Sequence, residues 1–361
     1  MVEMGERSAK AGAFGWGIIG SGESARRFAS DLSLLPDAAL IANHSRMLSS
    51  AEKFRETFGS ASAYADLDSF IADPAIDAIY IATPNSLHLA QALKALRSGK
   101  PVLIDRPLAP SHTEAAVIQR EAARGNILAM EAASARFLPA VIAAKKKVDA
   151  GEIGAVRRIT AELSVLHAFD AESRFFNRSL GGGAGLTFGT DCVSLAMHFL
   201  GQPQKVSGLW HAAPNGVDMR CEIALHYDEA EARLSSGLDE DGANHFVIEG
   251  AKGAIRIDAP FTGARSLTTF HGFALTPPFG PLPATRGVLG NLLARLPIPG
   301  RAVEDHPFSG TGLQFQTMAV MAAIRAGKTG AELMPLADSI NALRAVNIVL
   351  SQPATQRIIK L

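Results

Sequence analysis

The run Gly20-Ser21-Gly22-Glu23-Ser24-Ala25 stands directly after the apolar segment Phe14–Ile19. Few features constrain a fold as tightly. A short apolar run that ends in Gly-x-Gly-x-x-Ala and continues into an amphipathic stretch, here Ser24–Leu34, reads as strand, turn and helix. Gly20 permits the tight turn, Gly22 lets backbone approach a diphosphate, and small Ala25 lets the helix pack on the strand. Free N–H groups and the dipole at the helix start favour negative charge there. The turn is therefore read as a dinucleotide cradle, with Gly20, Ser21, Gly22, Glu23 and Ser24 along the ligand. A purely structural glycine turn is the alternative.

The surroundings favour the cradle. Apolar runs recur at Ala39–Ala42, Ala78–Ala82, Pro101–Ile104 and Ile127–Met130. Each is too short for a stable helix, and continuous apolar runs suit parallel strands covered on both faces. Amphipathic stretches lie between them, at Ser49–Phe58, Asp66–Ala72, Leu87–Ser98 and Ser111–Arg124. Strand–helix alternation of this kind predicts an α/β fold: an N-terminal Rossmann domain with a doubly wound parallel sheet.

After Phe137 the pattern changes. Leu138–Ala150 reads as a helix stopped at Gly151. Polar and apolar residues then alternate, most clearly from Arg158 to Leu163, and similar stretches follow at Lys205–His211, Met219–Tyr227, Ala232–Leu238, His245–Glu249 and Ile255–Asp258. A period of two predicts a C-terminal α+β domain with a large open, mostly antiparallel sheet. His271–Gly312 is rich in Pro and Gly and reads as a surface excursion with one short helix at Leu289–Leu296. Leu313–Ala326 and Leu336–Leu350 read as closing helices. The expected partition is a flexible segment 1–13, a dinucleotide domain 14–136 and a substrate and oligomerisation domain 137–361.

Charge narrows the partners. Lys plus Arg is 35 and Asp plus Glu is 35, so the formal net charge is zero. That argues against a nucleic-acid binder and against recruitment to acidic membranes by bulk charge. Lys145-Lys146-Lys147 reads as a solvated helix face. No apolar run reaches the ~18 residues of a membrane span. The opening MVEMGERSAKAG lacks the apolar core of a secretory leader. Two cysteines, Cys192 and Cys221, make neither a disulfide framework nor a zinc motif, so no metal is expected and a reducing, cytoplasmic setting fits.

The second strand runs into Ile41-Ala42-Asn43-His44-Ser45-Arg46. Enzymes that bind NAD commonly place an acid near here for the ribose 2′-hydroxyl. This chain offers Ser45 and Arg46. A hydroxyl and a planar guanidinium suit a 2′-phosphate, so NADP is expected in preference to NAD.

At this point the chain resembles a known family. Trp16-Gly17-Ile18-Ile19-Gly20-Ser21-Gly22, Ser45-Arg46, Tyr80-Ile81-Ala82-Thr83-Pro84-Asn85-Ser86-Leu87-His88 and Gly99-Lys100-Pro101-Val102-Leu103-Ile104-Asp105-Arg106-Pro107 are similar to motifs of the Gfo/Idh/MocA oxidoreductases. Within that family they resemble the NADP-dependent dihydrodiol and xylose dehydrogenase branch. Met130-Glu131-Ala132, Arg136-Phe137-Leu138-Pro139, Gly181-Gly182-Gly183-Ala184 and Met334-Pro335-Leu336 fit as well. The resemblance implies a cofactor along Gly20–Ser24, Ser45–Arg46, Thr83, Pro84, Asn85, His88, Asp105 and Arg106. It also implies a sugar, polyol or diol substrate held between the domains near Arg136, Thr187 and Asp191, and a homo-oligomer built through the C-terminal sheet.

Three positions depart from the pattern. The family usually has Lys where Arg106 stands. It usually has Asp, then His or Tyr four residues later, where Thr187 and Asp191 stand. Oxidising a C–OH needs a base for the hydroxyl proton and a donor for the developing alkoxide. Arg106 cannot be that base, because a guanidinium does not deprotonate in this range. Arg106 and Asp191 are therefore the expected catalytic pair, Asp191 as base. An N-cap role for Asp191 on a helix Cys192–Leu200 competes with this. So do two other functions: a non-catalytic NADP(H)-binding protein, and an enzyme that uses transient oxidation by a retained nucleotide.

Overall fold

A computed structural model describes residues 12–276, 280–281 and 297–355. Most of the segment 1–13 and the short helix expected at Leu289–Leu296 lie outside the described residues. The chain divides into two compact units. One comprises the residues up to Ser134 together with Ser309–Ile340; the other comprises Ala135–Phe308 and the residues from Asn341 onward.

The first unit is a parallel six-stranded sheet in the order β3-β2-β1-β4-β5-β6. Its strands are β1 (Phe14–Ile19), β2 (Ala38–His44), β3 (Ser62–Tyr64), β4 (Ala78–Ile81), β5 (Val102–Ile104) and β6 (Ala129–Glu131). The helices between them are α1 (Glu23–Leu32), α2 (Leu48–Phe58), α3 (Leu67–Ala72), α4 (His88–Arg97) and α5 (His112–Gly125). All six residues of β1 are buried, as a central strand covered on both faces requires. The Trp16 and Phe28 rings meet edge to face with centroids 5.2 Å apart, and Phe28 stacks on Tyr80 at 4.1 Å. This aromatic column pins α1 to the sheet. Truncating a ring of this kind costs about 3–5 kcal/mol.

Ser309–Ile340 groups with this unit although it follows the other in sequence. Asp31 near the end of α1 explains the attachment. Its carboxylate accepts from the Thr311 N–H at 2.9 Å, the Thr311 hydroxyl at 2.8 Å and the Leu313 N–H at 2.8 Å. It thus caps, from another element, the helix Leu313–Arg325. That helix's own cap residue is Gly312, which offers no side chain.

The second unit holds an eight-stranded sheet in the order β14-β13-β12-β11-β7-β10-β9-β8. Its strands are β7 (Val156–Ser164), β8 (Lys205–Ala212), β9 (Asp218–His226), β10 (Glu231–Gly237), β11 (Phe246–Gly250), β12 (Ala254–Ile257), β13 (Ser266–Phe270) and β14 (Arg301–Asp305). β7 and β10 run parallel and every other pair is antiparallel. One face carries buried Ile159, Ala161, Leu163, Ile223, Leu225, Leu234, Ile248 and Ile255. The other carries Arg158, Thr160, Glu222, Arg233 and Lys205, exposed or half-buried. Arg158 pairs there with Glu231 at 2.9 Å.

α6 (Pro139–Asp149) and α7 (Thr190–Leu200) belong to this unit. Lys145 pairs with Asp149, and Lys147 with Glu152 and Glu304, both at 3.3 Å. The expected excursion His271–Gly312 is corrected in part. Arg301–Asp305 within it is the edge strand β14, paired with β13. An edge strand with one neighbour shows little alternation, which is why its pattern is weak in sequence.

Candidate functional site

In the first unit the glycine turn after β1 is made of backbone. Gly20 has φ +115°, and a Cβ there would sit 2.5 Å from the Ala82 carbonyl oxygen. Only glycine fits. Its N–H donates to the His44 carbonyl at 2.9 Å. Gly22 is the N-cap of α1, with no side-chain cap bond, and a Cβ there would meet nothing within 4 Å. The first amides of an α-helix have no intrahelical partner, and such a start suits an anion. Ala25 is fully buried and Ser24 nearly so, while Glu23 is exposed.

Asn43 escaped the sequence reading. It is fully buried, and its side-chain amide donates to the carbonyls of Gly20 at 2.7 Å and Ile18 at 3.2 Å. It locks the turn to β2. The available signal was a polar residue closing an apolar strand. Ser45 Oγ lies 3.4 Å from Ser21 Oγ, so the end of β2 and the glycine turn border one place, and Arg46 beside them is exposed.

Thr83, Pro84 and Asn85 follow β4, and the Thr83 hydroxyl donates to Gln91 at 2.6 Å. His88 is fully buried. Its ring nitrogens lie 2.9 Å from the Pro107 carbonyl and 3.0 Å from the Thr83 carbonyl. His88 is therefore a strut between two loops, with no free edge for a ligand. Burial lowers its pKa, while Asp105 and the flanking carbonyls oppose that shift.

Asp105 and Arg106 are half-buried at the end of β5. The loop they begin is held from both sides. His88 meets the Pro107 carbonyl, and the Leu108 N–H donates to the buried Glu131 carboxylate at 2.7 Å. Burial, with Asp105 adding to it, pushes the Tyr80 phenol up and keeps it protonated.

In the second unit Arg136 is 1% exposed and donates to the Ser194 carbonyl at 2.7 Å. That bond sets it against α7, the helix that carries Asp191. The helical path starts before α7. Gly185–Gly189 forms a π-helical turn and runs unbroken into Thr190–Leu200. Gly189 has φ −63° and ψ −35°, and Thr190 has φ −60° and ψ −36°. Asp191 therefore lies inside a continuous helix and not at an N-cap position, so the N-cap alternative is set aside. Single π turns of this kind concentrate at functional sites. Asp191 is buried, and Thr187, four residues earlier, is half-buried. Burial and the Asp191 charge together raise the Cys192 thiol well above its usual range, which leaves it inert.

Arg174, Asn177 and Arg178 hold the preceding loop. Arg174 lies over the Phe175 ring at 4.8 Å, the Asn177 side chain accepts from the Ser179 N–H at 2.9 Å, and Arg178 donates to the Gly216 carbonyl at 2.8 Å. Among the described residues no group of three or more His, Cys, Asp or Glu side chains is arranged to hold a metal ion. None of the described helices is long and apolar enough to cross a membrane.

Comparison with known proteins places this geometry. The Gfo/Idh/MocA description "Oxidoreductase family, NAD-binding Rossmann fold" matches residues 14–132, and the Gfo/Idh/MocA C-terminal domain matches residues 141–256. A scyllo-inositol 2-dehydrogenase (NADP(+)) of Bacillus subtilis is 32% identical over 67% of this chain and 75% of its own length. The chain belongs to the Gfo/Idh/MocA oxidoreductase family.

A second member, the trans-1,2-dihydrobenzene-1,2-diol dehydrogenase of Xenopus tropicalis, is 28% identical over 90% of this chain and 93% of its own. In fold the chain is similar to the aldose-aldose oxidoreductase of Caulobacter crescentus, with a TM-score of 0.78 at 21% identity, covering 93% of this chain and 96% of that one.

Proposed function

We propose that this protein is an NADP(H)-dependent oxidoreductase that moves a hydride to or from a sugar, diol or related hydroxy or carbonyl compound. The observation that carries the coenzyme choice is the end of β2. Two hydroxyls, Ser21 and Ser45, stand 3.4 Å apart beside exposed Arg46, and the segment Ile41–Arg46 contains no acid. A carboxylate there would repel a 2′-phosphate; a guanidinium grips one with paired hydrogen bonds. The NADP(+) in the name of the Bacillus subtilis relative supports the same choice.

In this reading the α1 amides past Gly20 and Gly22, with Ser21, Glu23 and Ser24, hold the diphosphate. Ser45 and Arg46 hold the 2′-phosphate. Thr83, Pro84, Asn85, Asp105 and Arg106 border the nicotinamide end, braced by His88 and Glu131. When bound, the nicotinamide donates or accepts the hydride. A carboxylate oxygen of Asp191 takes the hydroxyl proton, Arg106 donates to the oxygen that gains charge, and Thr187 and Arg136 border the substrate. We also assign the open polar face of the eight-stranded sheet to self-association. The buried thiols Cys192 and Cys221 suit the cytoplasm.

A fluorescence titration tests the coenzyme. NADPH is expected to bind more tightly than NADH, and Arg46→Ala to weaken NADPH about ten- to a hundredfold with NADH unchanged, the worth of a charge-assisted contact. Equal affinities in the wild type overturn the assignment. The replaced lysine favours one second reading, a non-catalytic NADP(H)-binding protein. Tight NADPH binding without turnover across a screen of sugars, diols and hydroxy acids selects it.

A further inference from the structure

Asp218 opens β9 and is 7% exposed. Sequence patterning has no means of linking it to the glycine run more than thirty positions earlier. Its Oδ2 accepts from the Gly185 N–H at 2.6 Å. Gly185 is the first residue of the π turn, and that helix has no side-chain cap of its own. The neighbouring glycine is shaped to Asp218 as well. Gly183 has φ +125°, and a Cβ there would lie 2.0 Å from Asp218 Oδ1. The carboxylate thus sits at the positive end of the helix that carries Thr187 and Asp191, brought there by the sheet.

We infer that Asp218 is a positioning residue for the proton transfer: held against the Gly185 amide, it fixes the π turn and with it the setting of Thr187 relative to Asp191. The inference rests on the reading of Asp191 as proton acceptor. Its physical basis is helical register. A π turn carries one residue more than an α turn, and one residue is about 100° of rotation on an α-helix. Downstream, α7 is fastened by buried Cys192, Val193, Leu195 and Ala196. If the cap is lost, relaxation falls on the upstream side and moves Thr187 relative to Asp191.

The groups that face Asp218 are the Gly185 and Ala184 amides, Arg178 and the Cys221 thiol. Burial outweighs the first three and raises the Asp218 carboxyl to about 7. The cap therefore changes charge in the neutral range. The neutral carboxyl still offers an oxygen to the Gly185 N–H, so the cap is kept in both protonation states.

The test compares Asp218→Asn, which keeps an acceptor for Gly185, with Asp218→Ala and Asp218→Ser, which do not reach it. Turnover of trans-1,2-dihydrobenzene-1,2-diol and D-xylose with NADP+ is followed across pH, beside amide exchange of Gly185–Asp191. Asp218→Ala and Asp218→Ser are expected to lower kcat about tenfold, to leave the KM for NADP+ unchanged, and to speed exchange across Gly185–Asp191. Asp218→Asn, whose side-chain oxygen still accepts from the Gly185 N–H, is expected to rescue kcat and protection together, a kcat-only loss and rescue that general destabilisation does not produce. Wild-type kcat and protection in Asp218→Ser overturn the inference even if Asp218→Ala does not fold. Full kcat in Asp191→Asn overturns the proton-acceptor reading and this role with it. Full kcat in Asp218→Ala or Asp218→Ser beside an inactive Asp191→Asn overturns the positioning role alone.

Discussion

The two units solve different problems with different materials. The glycine turn of the first is built from main-chain geometry: a left-handed Gly20, an unobstructed Gly22 and the start of α1. Backbone of this kind binds any diphosphate and tolerates change in its surroundings. The helix Gly185–Leu200 of the second carries Thr187 and Asp191, and it is held by side chains from elsewhere in the chain, Asp218 at the Gly185 amide and Arg136 at the Ser194 carbonyl. The first depends on main-chain geometry alone, while the second depends on which side chains are present.

That contrast is broken most forcefully by Asp191→Asn. If proton transfer depends on this carboxylate, turnover falls by about 10²–10⁴-fold, the range for losing a general base. NADPH affinity, set in the other unit, is expected to stay within a factor of two of wild type. Steady-state kinetics beside a fluorescence titration separates the two. A joint loss of turnover and coenzyme affinity contradicts the division of labour.

A smaller effect sharpens it through pH. Asp218 titrates at about 7 in the fold against 3.8 as its ordinary value, so the folded state holds its proton more tightly than the unfolded chain does. The associated stability is fully present below about pH 4 and is lost as pH rises through 7. The total is on the order of 4 kcal/mol at about 1.4 kcal/mol for each unit. Asp218→Asn does not titrate. Urea unfolding at several pH values is expected to show the variant gaining on the wild type between pH 4 and 7 and holding that gain above. A constant difference across this range denies Asp218 its buried carboxyl.

How much of this was legible in the sequence follows the same division. Gly20, Gly22 and Ala25 are local: three residues within six positions state the turn, and the runs around them state the parallel sheet. The alternation from Arg158 to Leu163 states a half-covered strand in the same way. What local pattern lacked was anything fixed by tertiary contact. Ser62–Tyr64 and Ser266–Phe270 are strands too short, or too mixed in composition, to show periodicity, yet pairing with β2 and β12 forms them. His88 was open to a structural role or a ligand contact, because the carbonyls of Thr83 and Pro107 that flank its ring are set by tertiary contact. Asp191 was open to a capping role because the sequence does not reveal that the helix begins six residues earlier, under a carboxylate from β9.

The finest probe of the contrast uses two glycines of one turn. Gly20→Ala places a methyl 2.5 Å from the Ala82 carbonyl oxygen at a φ of +115°, where an L side chain is strained. Strain and overpacking together are expected to cost about 2–4 kcal/mol and to abolish coenzyme binding with the loss of the turn. Gly22→Ala is different in kind. Gly22 has φ −74° and ψ −170°, extended backbone open to any residue, and nothing stands within 4 Å of the added methyl. Its stability cost is expected to be about 1 kcal/mol or less, the difference between Gly and Ala at a helix N-cap. NADPH affinity is expected to fall further than that, because the methyl enters the space through which a diphosphate reaches the α1 amides. Thermal melts with and without NADPH measure both quantities on one sample. A Gly22→Ala protein that binds NADPH as well as wild type means that the diphosphate does not lie against this turn.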